Sequence, residues 1–130
     1  MPPLGRKTIL SIEDDEEFGR LLELMLKQET VEVVRATNGH DGLRLAEELQ
    51  PDLIILDLMM PDMHGWDVLE KLQTQEDLQH IPVIIVSALS SKTDVSHGRE
   101  AAGVEAYLVK PIRTAEFRSA VTDVLLGEEN

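Results

Sequence analysis

The stretch from Pro51 to Gly65, PDLIILDLMMPDMHG, is the part of the chain that decides the predicted fold. Leu53 to Leu56 are four aliphatic residues in a row, which is typical of a strand buried on both faces of a sheet. Asp57 follows directly. A carboxylate at the end of a buried strand is costly unless another group compensates its charge. Asp57 is therefore a candidate functional residue.

Strand-like and helix-like segments alternate five times along the chain. Short apolar runs predict the strands, and apolar residues at helical spacing predict a helix after each of them. The strands are expected at TILSI, VEVVRA, DLIILD, PVIIVSA and VEAYLV. The NGHDG segment after the second strand is predicted to be a turn, and residues 93–102 a weak polar helix that Gly103 ends. This order predicts an α/β fold, a doubly wound parallel sheet with helices on both faces.

Composition excludes several classes of function. A chain of 130 residues fits one domain. Its net charge of -13, from 25 acidic and 12 basic residues, argues against a nucleic-acid groove and against binding to anionic membranes. No apolar run approaches the roughly 20 residues of a membrane span, and the N-terminus lacks the apolar region of a signal peptide. Without cysteine there is no thiolate chemistry. We therefore expect a cytoplasmic protein.

The predicted carboxyl ends of four strands carry polar residues. In a doubly wound sheet these ends share one rim, and ligands bind where the strand order reverses. If the order is 2-1-3-4-5, strands 1 and 3 are neighbours at that point, and the rim carries Glu13, Asp14, Asp57, Ser87 and Lys110. Two like charges about 4 Å apart repel by roughly 4 kcal/mol. The cluster therefore predicts a Mg²⁺ site with a phosphoryl group as its missing partner, because Mg²⁺ prefers oxygen ligands.

The motifs IEDDEEF, DLIILDLMMPDMHG, PVIIVSA and AYLVKP, in this order, resemble the receiver domain of two-component response regulators. The resemblance covers residues 8–126, and residues 1–7 and 127–130 are expected to be frayed ends. It implies a single flavodoxin-like (βα)5 domain with a five-stranded parallel sheet. It also implies a signalling domain rather than an enzyme, which accepts a phosphoryl group from a sensor histidine kinase or a phosphotransfer protein. The face made by helix 4, strand 5 and helix 5 would then bind a downstream protein or a second copy of the chain.

The same resemblance implies roles for the acidic residues and the lysine. Asp57 would be the phosphoryl acceptor, and Asp14 would bind Mg²⁺ directly. Glu13 would act on the metal through water, and Met59 through its backbone carbonyl. Lys110 would bridge the acid and the phosphate.

Further implied roles concern the switch and the loops. Ser87 and Tyr107 would form the switch pair, in which the aromatic ring enters the space that the hydroxyl leaves. The Lys110–Pro111 bond would be cis. Two further pairs lie in loops, where Pro61 and Gly65 would shape the chain after the acceptor, and Met59 and Leu89 would flank the path of water in a slow self-dephosphorylation.

Three other functions compete with this interpretation. A phosphatase of the haloacid dehalogenase type needs a second aspartate two residues after the nucleophile, and that position is Met59. A flavin binder of the same topology needs a Ser/Thr/Gly phosphate loop after strand 1, where this chain has EDDEE. A pseudo-receiver would lack the acceptor, the acid pair or the lysine, and none is missing. The chain is either a stand-alone receiver or part of a larger protein such as a hybrid kinase.

Overall fold

The computed structural model describes residues 6–27 and 30–127. In these ranges strands and helices alternate in the predicted order. The strands are β1 (Lys7–Ile12), β2 (Val31–Ala36), β3 (Leu53–Leu56), β4 (Val83–Ser87) and β5 (Val104–Val109). The helices are α1 (Glu16–Met25), α2 (Gly39–Leu49), α3 (Gly65–Thr74), α4 (Lys92–Glu100) and α5 (Thr114–Gly127).

The five strands form one parallel sheet in the order β2-β1-β3-β4-β5, which confirms the predicted topology. The chain runs outward from β1 to β2 and then returns past β1 to β3, so the strand order reverses between β1 and β3. Their register pairs Ile12 with Leu56. Glu13 and Asp57, which directly follow β1 and β3, therefore lie at the same point of the rim.

Two apolar clusters fill the space between the sheet and its helices. Helices α2, α3 and α4 cover one face, and α1 and α5 cover the other. Strand β3 serves both clusters, since Ile54 and Leu56 point to the first and Leu53 and Ile55 to the second. Each fully buried aliphatic side chain contributes about 1.5–3 kcal/mol by leaving water. The apolar run that predicted β3 is thus explained by burial on both faces.

Two helices begin or end differently from the prediction. The NGHDG segment is the start of α2 rather than a turn, because the Asn38 side chain accepts a hydrogen bond from the backbone N–H of Asp41 at 2.8 Å and caps the helix. Asparagine and glycine favour both turns and helix N-termini, so the motif alone did not separate the two. Helix α4 ends at Glu100 rather than Ala102, and Gly103, with φ +83°, lies in the connection to β5.

The elements extend slightly beyond the expected limits of 8–126. Lys7 belongs to β1 and donates its backbone N–H to the Thr30 carbonyl oxygen at 2.7 Å, and α5 continues to Gly127. The expected frayed residues 1–5 and 128–130 lie outside the described ranges. Within those ranges, none of the helices has the length and apolar character needed to cross a membrane.

Candidate functional site

Three carboxylates meet at the rim where the strand order reverses. Glu13, Asp14 and Asp57 each place one carboxylate oxygen within 4.8 Å of the other two, as the strand-end pattern predicts. The backbone N–H of Asp57 donates to the carbonyl oxygen of Ile12 at 3.0 Å, which ties the end of β3 to β1. Glu13 and Asp57 are 5% and 4% exposed, and Asp14 is the most accessible of the three. The site therefore holds two carboxylates that have largely left water.

Lys110 reaches the same point from the end of β5. Its Nζ lies 3.2 Å from Glu13 Oε1 and 3.6 Å from Asp57 Oδ2. The ammonium also stands 4.2 Å from the centroid of the Phe18 ring, at a distance that favours a cation–π contact. The Lys110–Pro111 peptide bond is cis, as expected. One lysine thus faces two buried acids and an aromatic ring.

The charges of this cluster are not balanced by the protein alone. Burial, followed by the negative charge of Asp57, raises the pKa of Glu13 to about 7 against the opposing effect of Lys110. The positive charge of a cation near the three oxygen donors would favour the ionised form and so oppose that rise. The donor set is all oxygen, which suits a hard dication such as Mg²⁺. The residues present therefore fit the metal that the sequence predicts.

Ser87 is the last residue of β4, and Tyr107 lies within the neighbouring strand β5. Ser87 is fully buried, and its Oγ accepts a hydrogen bond from the Leu89 N–H at 3.2 Å. The Tyr107 hydroxyl donates to the Leu89 carbonyl oxygen at 2.8 Å, and its ring is 2% exposed. Burial, followed by the charge of Asp94, raises the pKa of Tyr107, while a hydrogen bond with Ser87 lowers it. The Tyr107 ring is therefore buried in this structure, and the order in which Ser87 and the ring move stays a prediction.

A missing side chain on α4 explains why the Tyr107 ring fits inside. A Cβ placed on Gly98 would lie 2.4 Å from Tyr107 Cδ2 and 2.6 Å from Cε2. Such distances are far below van der Waals contact, so the ring lies directly against the backbone of α4. Gly98 therefore permits the observed position of Tyr107.

The loop between β3 and α3 contains the other predicted residues. Met59 is 51% exposed, and its N–H donates to Asp57 Oδ1 at 3.2 Å. Gly65 allows a close turn, since a Cβ there would lie 2.2 Å from the Cα of Leu58. Pro61 is exposed, and Leu89, across the site, is half-buried.

Several contacts near the site were not predicted from the sequence. No contact with Lys110 was predicted for Phe18, and none with Tyr107 was predicted for Gly98. His40 Nδ1 lies 2.8 Å from Asp62 Oδ2, and no role was predicted for either residue. Each of these contacts joins residues from different parts of the fold, so no local sequence pattern predicts it.

Known proteins resemble this chain in both sequence and fold. Residues 9–122 match the family described as the response regulator receiver domain. The polar-differentiation response regulator DivK of Brucella anthropi is 35% identical over 119 residues, which cover 92% of this chain and 96% of the relative. The matched region therefore takes in nearly the whole of both proteins.

Solved structures agree with this result. The signal receiver domain of a proposed Luxo repressor protein from Vibrio parahaemolyticus superposes with a TM-score of 0.84 at 32% identity, covering 92% of this chain and 90% of the other. The signal receiver domain of a signal transduction histidine kinase from Syntrophus aciditrophicus gives 0.83 at 31% identity, covering 95% and 93%.

The chain belongs to the response regulator receiver domain family. It is a receiver domain of two-component signalling, with the flavodoxin-like fold of that family, and a signalling domain rather than an enzyme. The family assignment leaves the haloacid dehalogenase alternative without support.

Proposed function

We propose that this receiver domain is a phosphorylation-dependent switch whose acceptor is Asp57. The observation that carries the proposal is the meeting of three carboxylates within 4.8 Å beside Lys110, whose Nζ is 3.6 Å from Asp57 Oδ2. A buried carboxylate with a neighbouring ammonium is a nucleophile that can receive a charged group. The pseudo-receiver alternative has no comparable observation in its favour.

The acids at the rim are the residues that would hold Mg²⁺. Asp14 and Asp57 would be direct ligands, Glu13 would act through water, and Met59 would offer its backbone carbonyl. When bound, the ion supplies the positive charge that offsets the carboxylates and an attachment point for a phosphoryl oxygen. Lys110 is the positively charged side chain at the site, and its ammonium can form an ion pair with an oxygen of the incoming phosphate.

The transfer itself is a displacement at phosphorus. A carboxylate oxygen of Asp57 attacks the phosphorus of a phosphohistidine, and a P–O bond forms while the P–N bond breaks. The imidazole nitrogen of the donor, a sensor histidine kinase or a phosphotransfer protein, keeps the electron pair and takes a proton from water. Ser87 can turn its hydroxyl to donate a hydrogen bond to the new phosphoryl group.

The output depends on the residue between Ser87 and α4. Both Ser87 and Tyr107 bind the backbone of Leu89, the first through its N–H and the second through its carbonyl oxygen. Movement of Ser87 toward Asp57 therefore displaces the residue that holds Tyr107, and α4 follows because its Gly98 backbone lies against the ring. Phosphate shifts the switch through its different affinity for the two states. The face of α4, β5 and α5 then binds a downstream protein in the cytoplasm or a second copy of the chain.

Helix α4 is the element expected to change most. Its sequence is polar and Gly98 is its buried residue, so few apolar contacts hold it in place. Amide hydrogen exchange in residues 92–100 should change when the chain is phosphorylated. Exchange that stays the same there would contradict this route of output.

A small phosphodonor tests the acceptor directly. The chain is incubated with phosphoramidate or acetyl phosphate, with Mg²⁺ or with a chelator, and its intact mass is measured. We expect one phosphoryl group on the wild type in Mg²⁺, little in the chelator, and none on Asp57→Asn. Asp52→Asn is the matched control, since Asp52 lies at the opposite rim, where its Oδ2 accepts the Thr8 N–H at 2.9 Å. A phosphoryl group on Asp57→Asn would refute the assignment.

A further inference from the structure

The loop that follows Asp57 needs a fixed position if the site is to work. Its first half is held locally, because the Met59 N–H donates to Asp57 Oδ1 at 3.2 Å and the Gly65 N–H closes the loop on the Leu58 carbonyl oxygen at 2.9 Å. Leu58 and Met60 are buried in the core. The second half turns toward solvent at Pro61, and there Asp62 supplies the polar contacts to another element.

The Asp62 carboxylate takes three contacts from the first turn of α2. Its Oδ1 accepts the Gly39 N–H at 3.0 Å, and its Oδ2 accepts the His40 N–H at 3.3 Å and lies 2.8 Å from His40 Nδ1. These backbone N–H groups have no partner within the helix. Asn38 caps the Asp41 N–H of the same turn, so the two side chains divide the free donors between them. The hydrogen bond from Gly39, followed by those from His40, lowers the pKa of Asp62.

The loop and the helix also fit closely in shape. A Cβ on Gly39 would lie 3.0 Å from Met63 Cβ and 3.0 Å from Val68 Cγ2, so the lack of a side chain lets the loop and α3 approach α2. One turn further along, a Cβ on Gly42 would lie 2.6 Å from the Cδ1 of Ile12. Ile12 is the last residue of β1 and immediately precedes Glu13. The start of α2 therefore touches both chain segments that carry the acids of the site.

We propose that Asp62, supported by His40, is a positioning residue that fixes the loop after Asp57 relative to the acids after β1, with α2 as the rigid link. This inference rests on the proposed function, because it concerns how well the site is arranged before Mg²⁺ arrives. Residues that orient metal ligands from outside the site typically change metal affinity by about 10- to 100-fold when they are replaced. Asp62 acts through the loop backbone, so we expect a change of about tenfold.

The test compares Mg²⁺ affinity and loop exchange in matched variants. Mg²⁺ binding is measured by calorimetry, and amide hydrogen exchange of residues 58–64 is measured without metal. Asp62→Ala removes the contacts. Asp62→Glu keeps the charge but displaces the carboxylate, which separates positioning from simple loss of a negative charge. Asp52→Ala is the control. It also removes an aspartate side chain that accepts a backbone hydrogen bond, here from the Thr8 N–H, but at the opposite rim of the sheet.

We expect both Asp62 variants to raise the Mg²⁺ dissociation constant about tenfold and to speed exchange in the loop. The rate of phosphorylation should fall at low Mg²⁺ and recover at saturating Mg²⁺, and faster exchange confined to residues 58–64 separates this effect from a general defect in folding. Asp52→Ala should match the wild type. Asp62→Ala indistinguishable from Asp52→Ala, or Asp62→Glu indistinguishable from the wild type, overturns this inference alone. A wild type that neither binds Mg²⁺ nor accepts phosphate overturns the proposed function, and this inference with it.

Discussion

Replacing Glu13 with glutamine removes a carboxyl group whose ionisation the fold resists. The Glu13 side chain is 4% exposed, and both its burial and the charge of Asp57 favour the neutral form over the ion. Glutamine has almost the same shape, and its carbonyl oxygen can still accept the hydrogen bond that Lys110 Nζ donates over 3.2 Å. The variant therefore keeps the packing and changes the charge, together with the weaker contact in which Glu13 Oε2 accepts the Asp15 N–H at 3.2 Å.

The size of the effect follows from the pKa difference between the folded and unfolded chain. The pKa of Glu13 rises from its ordinary value of 4.5 to about 7 on folding. At about 1.4 kcal/mol per pH unit, this difference corresponds to about 3 kcal/mol. Because the folded chain holds the proton more tightly, this stabilisation is fully present below pH 4.5 and is lost as the pH rises to about 7. Glutamine stays neutral at every pH, so the variant loses no stability at this position as the pH rises.

Urea unfolding at a series of pH values measures this contribution. Trp66, the single tryptophan, reports unfolding by fluorescence, and a chelator keeps divalent ions away. The free energy of unfolding of Glu13→Gln minus that of the wild type should rise by about 3 kcal/mol between pH 4.5 and 7 and then level off. The acids that do not interact with Glu13 titrate in both proteins and cancel in the difference. Glu76→Gln, at an exposed position, controls for the loss of one charge.

Adding Mg²⁺ at neutral pH should make the wild type more stable to unfolding than Glu13→Gln. A ligand that binds only the folded state stabilises it by mass action, and the ion binds the ionised cluster of the wild type more tightly than that of the variant. Two pH profiles that run parallel from pH 4.5 to 8 would refute the reasoning. They would mean that the surroundings of Glu13 accommodate its charge without a metal.

Three further predictions concern the lifetime of the phosphorylated form and the stability of the fold. Polar residues at both Met59 and Leu89 should speed decay of the phosphorylated form, because the present side chains cannot orient water; an unchanged lifetime by intact mass would mean that other groups hold the water. Gly98→Ala should lower the free energy of unfolding by about 1–3 kcal/mol despite its better helix propensity, because its Cβ would overlap the Tyr107 ring, and the loss should vanish in a Tyr107→Ala background. His64→Asp should raise that free energy by about 1 kcal/mol, since the N-cap of α3 makes no side-chain hydrogen bond, and His64→Ala should not.

The sheet and the acids of the site could be predicted because their signals are local. Strands β2 and β5 were predicted with their observed bounds, since an apolar run bounded by polar residues marks both ends. The parallel order then brings Glu13 and Asp57 together without any knowledge of side-chain packing. Only the start of α2 was misjudged in kind, because asparagine followed by glycine suits a turn as well as a helix cap.

The contacts that refine the site could not be predicted in this way. Asp62 and His40 are separated by 22 positions in the chain, and neither is unusual in a polar surface segment. The Tyr107 ring and Gly98 are in contact because of the way α4 packs against β5. Such contacts depend on the distance between packed elements, which hydrophobic periodicity does not specify. The sequence therefore predicts which residues form the site better than it predicts the contacts that connect the site to α2 and α4.

The central claim is that carboxylates from two neighbouring strand ends share a divalent cation and thereby enable Asp57 to take a phosphoryl group. The most direct test measures Mg²⁺ binding and phosphoryl transfer from phosphoramidate on the same samples over one series of Mg²⁺ concentrations. We predict that the transfer rate follows the bound fraction of Mg²⁺, and that Asp14→Asn shifts both curves together to higher concentration. Transfer at full rate in the chelator, or a rate that ignores Mg²⁺ occupancy, would contradict the claim.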